Sequence, residues 1–189
     1  DVWFGNIRNS TAAAGSYAFN SVLHEIGHTL GLKHGQTAEN GFPTLPSAHD
    51  DGQYSLMDYH SYSGGPDAFS NATGSGNQTY MVDDIAALQY LYGANYATNS
   101  GNTIYSWNPS TGAFSVDGAV QNQSSTNTVY QALWDGGGTD TYDLSAYSSD
   151  LVINLNPGEC STFSQAQRAR LDVTNSSRLA VGNVANALL

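Results

Sequence analysis

Across its 189 residues the chain carries sixteen Asp and Glu against five Lys and Arg, a formal net charge of −11. That balance argues against nucleic acid and anionic membranes as partners, because both recruit basic patches, and it suits hard cations with oxygen ligands. With 40% hydrophobic and 11% aromatic residues the chain is not of disordered composition, and its length allows one or two domains with a real core.

Gly, Ser, Thr and Asn are abundant and Lys is scarce, a β-rich and turn-rich usage. Cys160 is the single cysteine, so no internal disulfide can form. It is read as a small core residue, since nothing near it suggests an activated thiol. No apolar run approaches membrane-spanning length, and no signal peptide is expected within these residues. The chain opens at Asp1 within a strand-like pattern and without Met, so it is expected to have been cut or processed upstream.

Residues 1–7 are expected to form a short strand, and residues 9–16 a small, polar loop. From about Ala18 to Gly31 the pattern is helical, with Phe19, Val22, Leu23, Ile26 and Leu30 on one broad face. Ser16 or Asn20 could cap it, and Gly31 and Gly35 are stop signals. A loop with two prolines covers 36–53, a tight and largely buried segment covers Gln53–Tyr59, and a surface loop covers 61–79. Val82–Tyr92 reads as a second helix, with Asp83 and Asp84 in the first turn, where the dipole favours them. Ile85, Leu88, Leu91 and Tyr92 form its apolar stripe and Gly93 ends it. Beyond Ala94, short strands are expected around 103–107, 113–116, 128–134, 140–143 and 151–155. The change of character places a domain boundary near residue 95, dividing 1–95 from 96–189.

The stretch His24-Glu25-Ile26-Gly27-His28-Thr29-Leu30-Gly31-Leu32-Lys33-His34 carries the chemistry. Four residues of helix advance about 6 Å and rotate about 400°, so His24 and His28 project from nearly one face. Two imidazoles so placed can reach one zinc ion at about 2.0–2.1 Å. Glu25 lies roughly 100° around the helix, poorly placed as a ligand and well placed as a general base. On a continued helix His34 would lie about 9 Å beyond His28 along the axis, out of range. It can ligate only if the chain turns sharply, and Gly31 is where that turn is sterically easy. Three histidines leave a position open, the catalytic rather than the structural arrangement. A bare HExxH arises often by accident; the extended HExxHxxGxxH is far more specific.

This motif resembles that of the metzincin zinc peptidases, and its flavour is similar to the serralysins, secreted bacterial proteases. Ser55-Leu56-Met57-Asp58-Tyr59 resembles the Met-turn of that group. The resemblance implies that Met57 forms a structural floor beneath the zinc. It also implies that Tyr59 approaches the zinc, as a possible extra ligand, and stabilises the reaction intermediate. Ordinary core packing of Met57 and a half-buried Tyr59 are the bland alternatives. His49 and His60 are read as structural or surface residues, with His60 pointing away from Tyr59 on an extended segment. Asp1-Val2-Trp3-Phe4 looks like the strand before the active-site helix of serralysins, and Asp83–Gly93 like the helix that closes their catalytic domain. Gly35 directly follows His34, where the family usually has a proline first.

A second constellation runs from Trp134 to Asp143. Its glycines allow tight turns and its aspartates supply carboxylates, and Gly136, Gly138, Asp140 and Tyr142 fall in register with the nonapeptide β-roll repeat. A Gly/Asp hairpin turn is the alternative. The serralysin resemblance implies a calcium site shared by this stretch and a Gly-x-Thr piece, through Asn99, Gly101, Thr103, Asp135, Gly137, Gly138 and Asp140. It places further ligands near Asn183 and Ala185, where Ala185 departs from an expected Glu and cannot coordinate.

The fold expectation is therefore α+β: the C-terminal part of a metzincin catalytic domain, with active-site helix, Met-turn and closing helix, followed by a β-rich, β-roll-like calcium-binding segment. The expected function is a secreted, extracellular zinc endopeptidase that hydrolyses peptide bonds in proteins, with zinc and calcium as cofactors. Its partners are protein or peptide substrates and an upstream segment or companion chain, with no nucleic acid and no membrane. The rival is a non-catalytic calcium-binding β-roll module for adhesion or scaffolding that retains a vestigial zinc site. Sequons at Asn9, Asn71, Asn77, Asn122 and Asn175 carry little weight in a Ser/Thr-rich chain.

Overall fold

A computed structural model describes residues 12–187. The expected strand at 1–7, its likeness to the serralysin strand, and the Asn9 sequon lie outside the described residues.

Helix α1 spans Tyr17–Thr29 and begins at Ser16, whose Oγ accepts the Phe19 N–H at 3.1 Å. Its packing corrects the expected apolar stripe. Asn20 and Gly27 are the buried positions, while Ile26 is 36% exposed. Gly27 is buried because the chain at Met57 presses against it. A Cβ at Gly27 would stand 2.5 Å from Met57 Sδ. Gly27→Ala is therefore expected to lower Tm, since overpacking costs about 1–3 kcal/mol against at most about 1 kcal/mol of helix propensity gained. Thermal unfolding followed by circular dichroism checks this.

Helix α2 spans Val82–Tyr92 and ends at Gly93, at φ +82°, whose N–H reaches Gln89 O at 2.8 Å. Ile85 and Leu88 pack inward as expected, but Leu91 and Tyr92 are exposed. Tyr92 is used differently: its hydroxyl donates to Leu30 O at 3.0 Å and ties α2 to the end of α1.

Two small sheets follow among the described residues. The first has the order β3-β2-β1-β5, from β1 (Ile104–Trp107), β2 (Phe114–Val116), β3 (Ala119–Asn122) and β5 (Thr141–Asp143). The second has the order β4-β7-β6, from β4 (Gln131–Leu133), β6 (Cys160–Ser161) and β7 (Val184–Asn186). Strands β3, β6 and β7 are additional to the expected set. β3 forms because Asp117 at φ +49° and Gly118 at φ +79° make a primed two-residue turn after β2. The expected strand at 151–155 is not formed. It contracts to a bridge between Val152 and Thr162, and Asn154 N–H bonds the Ser161 side chain instead of a neighbouring strand.

The expected surface loop 61–79 is buried over residues 74–78. Ser75, Asn77 and Gln78 are buried. Gln78 is stitched to the segment before β4 by its own N–H to Tyr130 O at 2.9 Å and its Nε2 to Thr128 O at 2.8 Å. Burial also removes Asn77 as a glycan acceptor. Cys160 lies half-buried against the core, its thiol pushed up to about 11 by burial and then by Glu159, the opposite of activation.

Among the described residues, three apolar clusters hold these elements. One joins Met81 and Val82 to Tyr130, Ala132, Ala169, Leu171, Ala180 and Ala185, so packing runs across residue 95. A second, aromatic cluster centres on Tyr105, Trp107, Phe114 and Phe163. The third, Leu32, Leu56 and Met57 with Leu23, Tyr80, Ala87 and Leu88, lies between the two helices.

Candidate metal centre

Helix α1 stops just after its second histidine for a local reason. Gly31 stands at φ +90°, its N–H bonds His28 O at 3.0 Å, and Leu32 N–H bonds Gly27 O at 3.0 Å. This is a Schellman closure, which reverses the chain. The turn returns His34 to the face that carries His24 and His28.

His28 Nε2 lies 3.0 Å from His34 Nε2, and His34 Nε2 lies 3.1 Å from His24 Nε2. Two of the outer nitrogens are committed: His28 Nδ1 donates to Leu32 O at 2.9 Å and His24 Nδ1 to Leu56 O at 3.3 Å. Neutral rings so anchored turn bare Nε2 lone pairs inward. His34 Nε2 has one proton at most to offer two such neighbours, so the three nitrogens are arranged to share a cation. Ligands at about 2.0–2.1 Å on a tetrahedral ion sit about 3.3 Å apart, close to the separations found. Burial, first, and then the neighbouring imidazoles hold His24 and His34 below the ordinary value of 6.5, favouring the neutral, ligating form. The residues present fit zinc.

Met57 is 1% exposed and lies with its sulfur against Gly27, between the two helical histidines. Tyr59 is 40% exposed, and its hydroxyl lies 3.0 Å from His34 Nε2. Burial, and then the Glu25 carboxylate, raise the Tyr59 phenol above its ordinary value, so it is held as a donor. Glu25, His24 and Tyr59 line a cleft of ≈ 480 Å³ together with Tyr17, Asp67 and Phe69.

One residue that periodicity could not single out organises the centre. Asp84, 3% exposed in the first turn of α2, accepts Ser55 Oγ–H at 2.6 Å, Leu56 N–H at 2.7 Å and Met81 N–H at 2.9 Å. It thereby fixes Leu56, whose carbonyl orients His24. Asp83, its twin in sequence, instead pairs with His49 at 2.8 Å, and His49 stacks on Tyr54. His60 faces Asp50 and Asp58 rather than the three histidines.

The second constellation is also brought together. β1 and β5 run parallel, with Ile104 opposite Thr141, and Thr103 N–H donates to Asp140 Oδ1 at 2.9 Å. Gly138 is pressed against Gly101, where an added Cβ would stand 2.0 Å from the carbonyl oxygen. Thr103 Oγ1 donates to Asn99 O at 3.1 Å, and Gly137 N–H donates to Asp135 Oδ1 at 2.7 Å. Tyr105 joins the halves, since its hydroxyl donates to Asp135 and accepts from Asn99 Nδ2. Carboxylates and close-packed glycine carbonyls are an oxygen donor set that fits calcium. Asn183 and Ala185 are otherwise engaged. Asn183 Oδ1 accepts Phe163 N–H at 2.7 Å and Ser164 N–H at 3.1 Å, and Ala185 is buried in β7.

Residues 94–183 match the family model for the peptidase M10 serralysin C terminal, and residues 5–87 match that for the metallo-peptidase family M12B, reprolysin-like. The chain is 42% identical over 157 residues to metalloprotease AprA of Pseudomonas entomophila, covering 78% of this chain and 31% of that protein. It is 34% identical over 176 residues to serralysin of Proteus mirabilis, covering 88% and 34%. It is 40% identical over 161 residues to serralysin C of Dickeya chrysanthemi, covering 82% and 32%. The chain thus spans about a third of the length of these relatives. With its histidine triad closed around one point and its sequence matched along both halves, the chain belongs to the serralysin-type metalloproteases.

Proposed function

We propose that the complete protein carrying this chain is a secreted zinc endopeptidase acting on protein substrates. The carrying observation is the convergence of three imidazole nitrogens at 3.0–3.1 Å beside the cleft that holds Glu25. Zinc held by His24, His28 and His34 would supply a Lewis acid for a peptide carbonyl and acidify a water molecule. Glu25 takes the proton of the attacking water and passes it to the leaving amine. The Tyr59 hydroxyl donates a hydrogen bond to the oxyanion as it develops and stands close enough to be an extra ligand. Met57 and Gly31 are structural, one as floor and the other as turn. A non-catalytic module would have no use for a base and a phenol facing one cleft. Among the described residues no helix is long and apolar enough to cross a membrane. Casein cleavage by the complete protein should be abolished by 1,10-phenanthroline and restored by added zinc. Cleavage that survives full zinc removal ends this reading.

In the same proposal, residues 96–189 form a β-rich calcium-binding region in which Asn99, Gly101, Thr103, Asp135, Gly137, Gly138 and Asp140 hold calcium. Gly138 is at φ +123° as well as against Gly101. Gly138→Ala must part the two loops and is expected to weaken calcium binding by more than about tenfold, or 1.4 kcal/mol. Calcium titration by calorimetry measures it.

A further inference from the structure

A second set of ligand-bearing side chains lies beside the cleft. Asp50, Asp58 and His60 bring ligand atoms within 4.8 Å of one another. His60 Nδ1 lies 3.3 Å from Asp58 Oδ1 and 3.4 Å from Asp50 Oδ1. Neither approach is a hydrogen bond. His60 Nδ1, Asp50 Oδ1 and Asp58 Oδ2 are all buried atoms without a hydrogen-bond partner among the described residues. The Asp58 side chain is 0% exposed. No Lys or Arg among the described residues pairs with either carboxylate. Buried polar atoms are normally satisfied, and a buried carboxyl needs either a retained proton or a compensating charge.

The backbone builds this arrangement in advance. Asp58 Oδ1 accepts the His60 N–H at 2.8 Å, Gly52 N–H bonds His60 O at 2.7 Å, and His60 bridges Ala68. The side chains are therefore held together by the fold despite two carboxylates sharing one space.

We propose that Asp50, Asp58 and His60 form a second divalent-cation site, separate from the histidine triad. Imidazole with two carboxylates selects an ion of the zinc class over calcium, which prefers oxygen alone. Separations of 3.3 and 3.4 Å suit ligands on one such ion, since tetrahedral zinc spaces its ligands by about 3.3 Å. Asp58 and His60 flank Tyr59 and line the cleft with His24 and Glu25. An ion bound there clamps both sides of Tyr59 and couples metal supply to the position of the phenol beside His34.

The test is equilibrium dialysis of the complete protein against micromolar zinc in saturating calcium, followed by metal analysis. Wild type should retain one more zinc per chain than Asp50→Asn, and His60→Gln should lose the same ion. Asp50 is partly exposed, so its variant folds, as circular dichroism will show. His28→Ala should lose a different zinc, and its combination with Asp50→Asn both. If His28→Ala keeps full zinc while Asp50→Asn loses an ion, the catalytic reading fails and this site stands. Equal zinc in wild type and Asp50→Asn overturns the site.

Discussion

Glu25→Gln is expected to lower kcat by roughly 10²–10⁴-fold, the contribution of a positioned general base, while leaving zinc content unchanged. The separation of effects follows from geometry. His24, His28 and His34 present Nε2 atoms to one point, and Glu25 sits one residue off the ligand face of α1, exposed in the cleft. Gln has the same shape and similar helix propensity, so neither the helix nor the ligand set changes. Steady-state hydrolysis of a quenched peptide, with zinc measured on the same sample, checks both halves. Wild-type kcat in a zinc-loaded variant removes Glu25 from the chemistry, and loss of zinc alongside activity makes it a structural residue instead.

The centre was legible in the sequence to the extent that it is local. Spacing placed His24 and His28 on one helical face, and Gly31 between His28 and His34 marked the reversal that the Schellman closure performs. The long helices followed from periodicity and capping residues. What was not legible depends on contacts distant in sequence. The buried side of α1 is Asn20 and Gly27 because Asn77 and Met57 meet it there, and no hydrophobic pattern encodes that. β7 exists through pairing with β4 some fifty residues earlier. β3 is different, since the Asp117-Gly118 turn was a readable local signal. The apolar run at 151–155 shows the converse, a strand-like composition that finds no full partner among the described residues.

Asp84 is where this non-local wiring reaches the metal, and it carries the largest expected stability effect. Asp84→Ala leaves the Ser55 hydroxyl and the Leu56 and Met81 N–H groups buried without their acceptor. Each orphaned group costs about 1–3 kcal/mol, so a loss of about 3–5 kcal/mol is expected. Leu56 O orients His24, and loss of such outer support costs about 10–100-fold in metal affinity. Asp84→Asn should be far milder, because its carbonyl can still accept both backbone N–H groups. The wild-type carboxyl and the substituted amide also differ in pH response. Burial, first, pushes the Asp84 carboxyl up to about 6 from an ordinary 3.8, against the pull of its three donors. The folded state therefore holds an extra proton between those values, and the stability contributed by that proton, over and above the hydrogen bonds, is complete below about 3.8 and lost as pH rises through about 6. An amide at this position cannot titrate, so the stability of Asp84→Asn relative to wild type should improve as pH rises from about 4 to about 6. Denaturant unfolding of both proteins across that range measures the difference. A gap that is flat with pH would mean that the three donors keep Asp84 ionised throughout, and that its hydrogen bonds outweigh the cost of its burial.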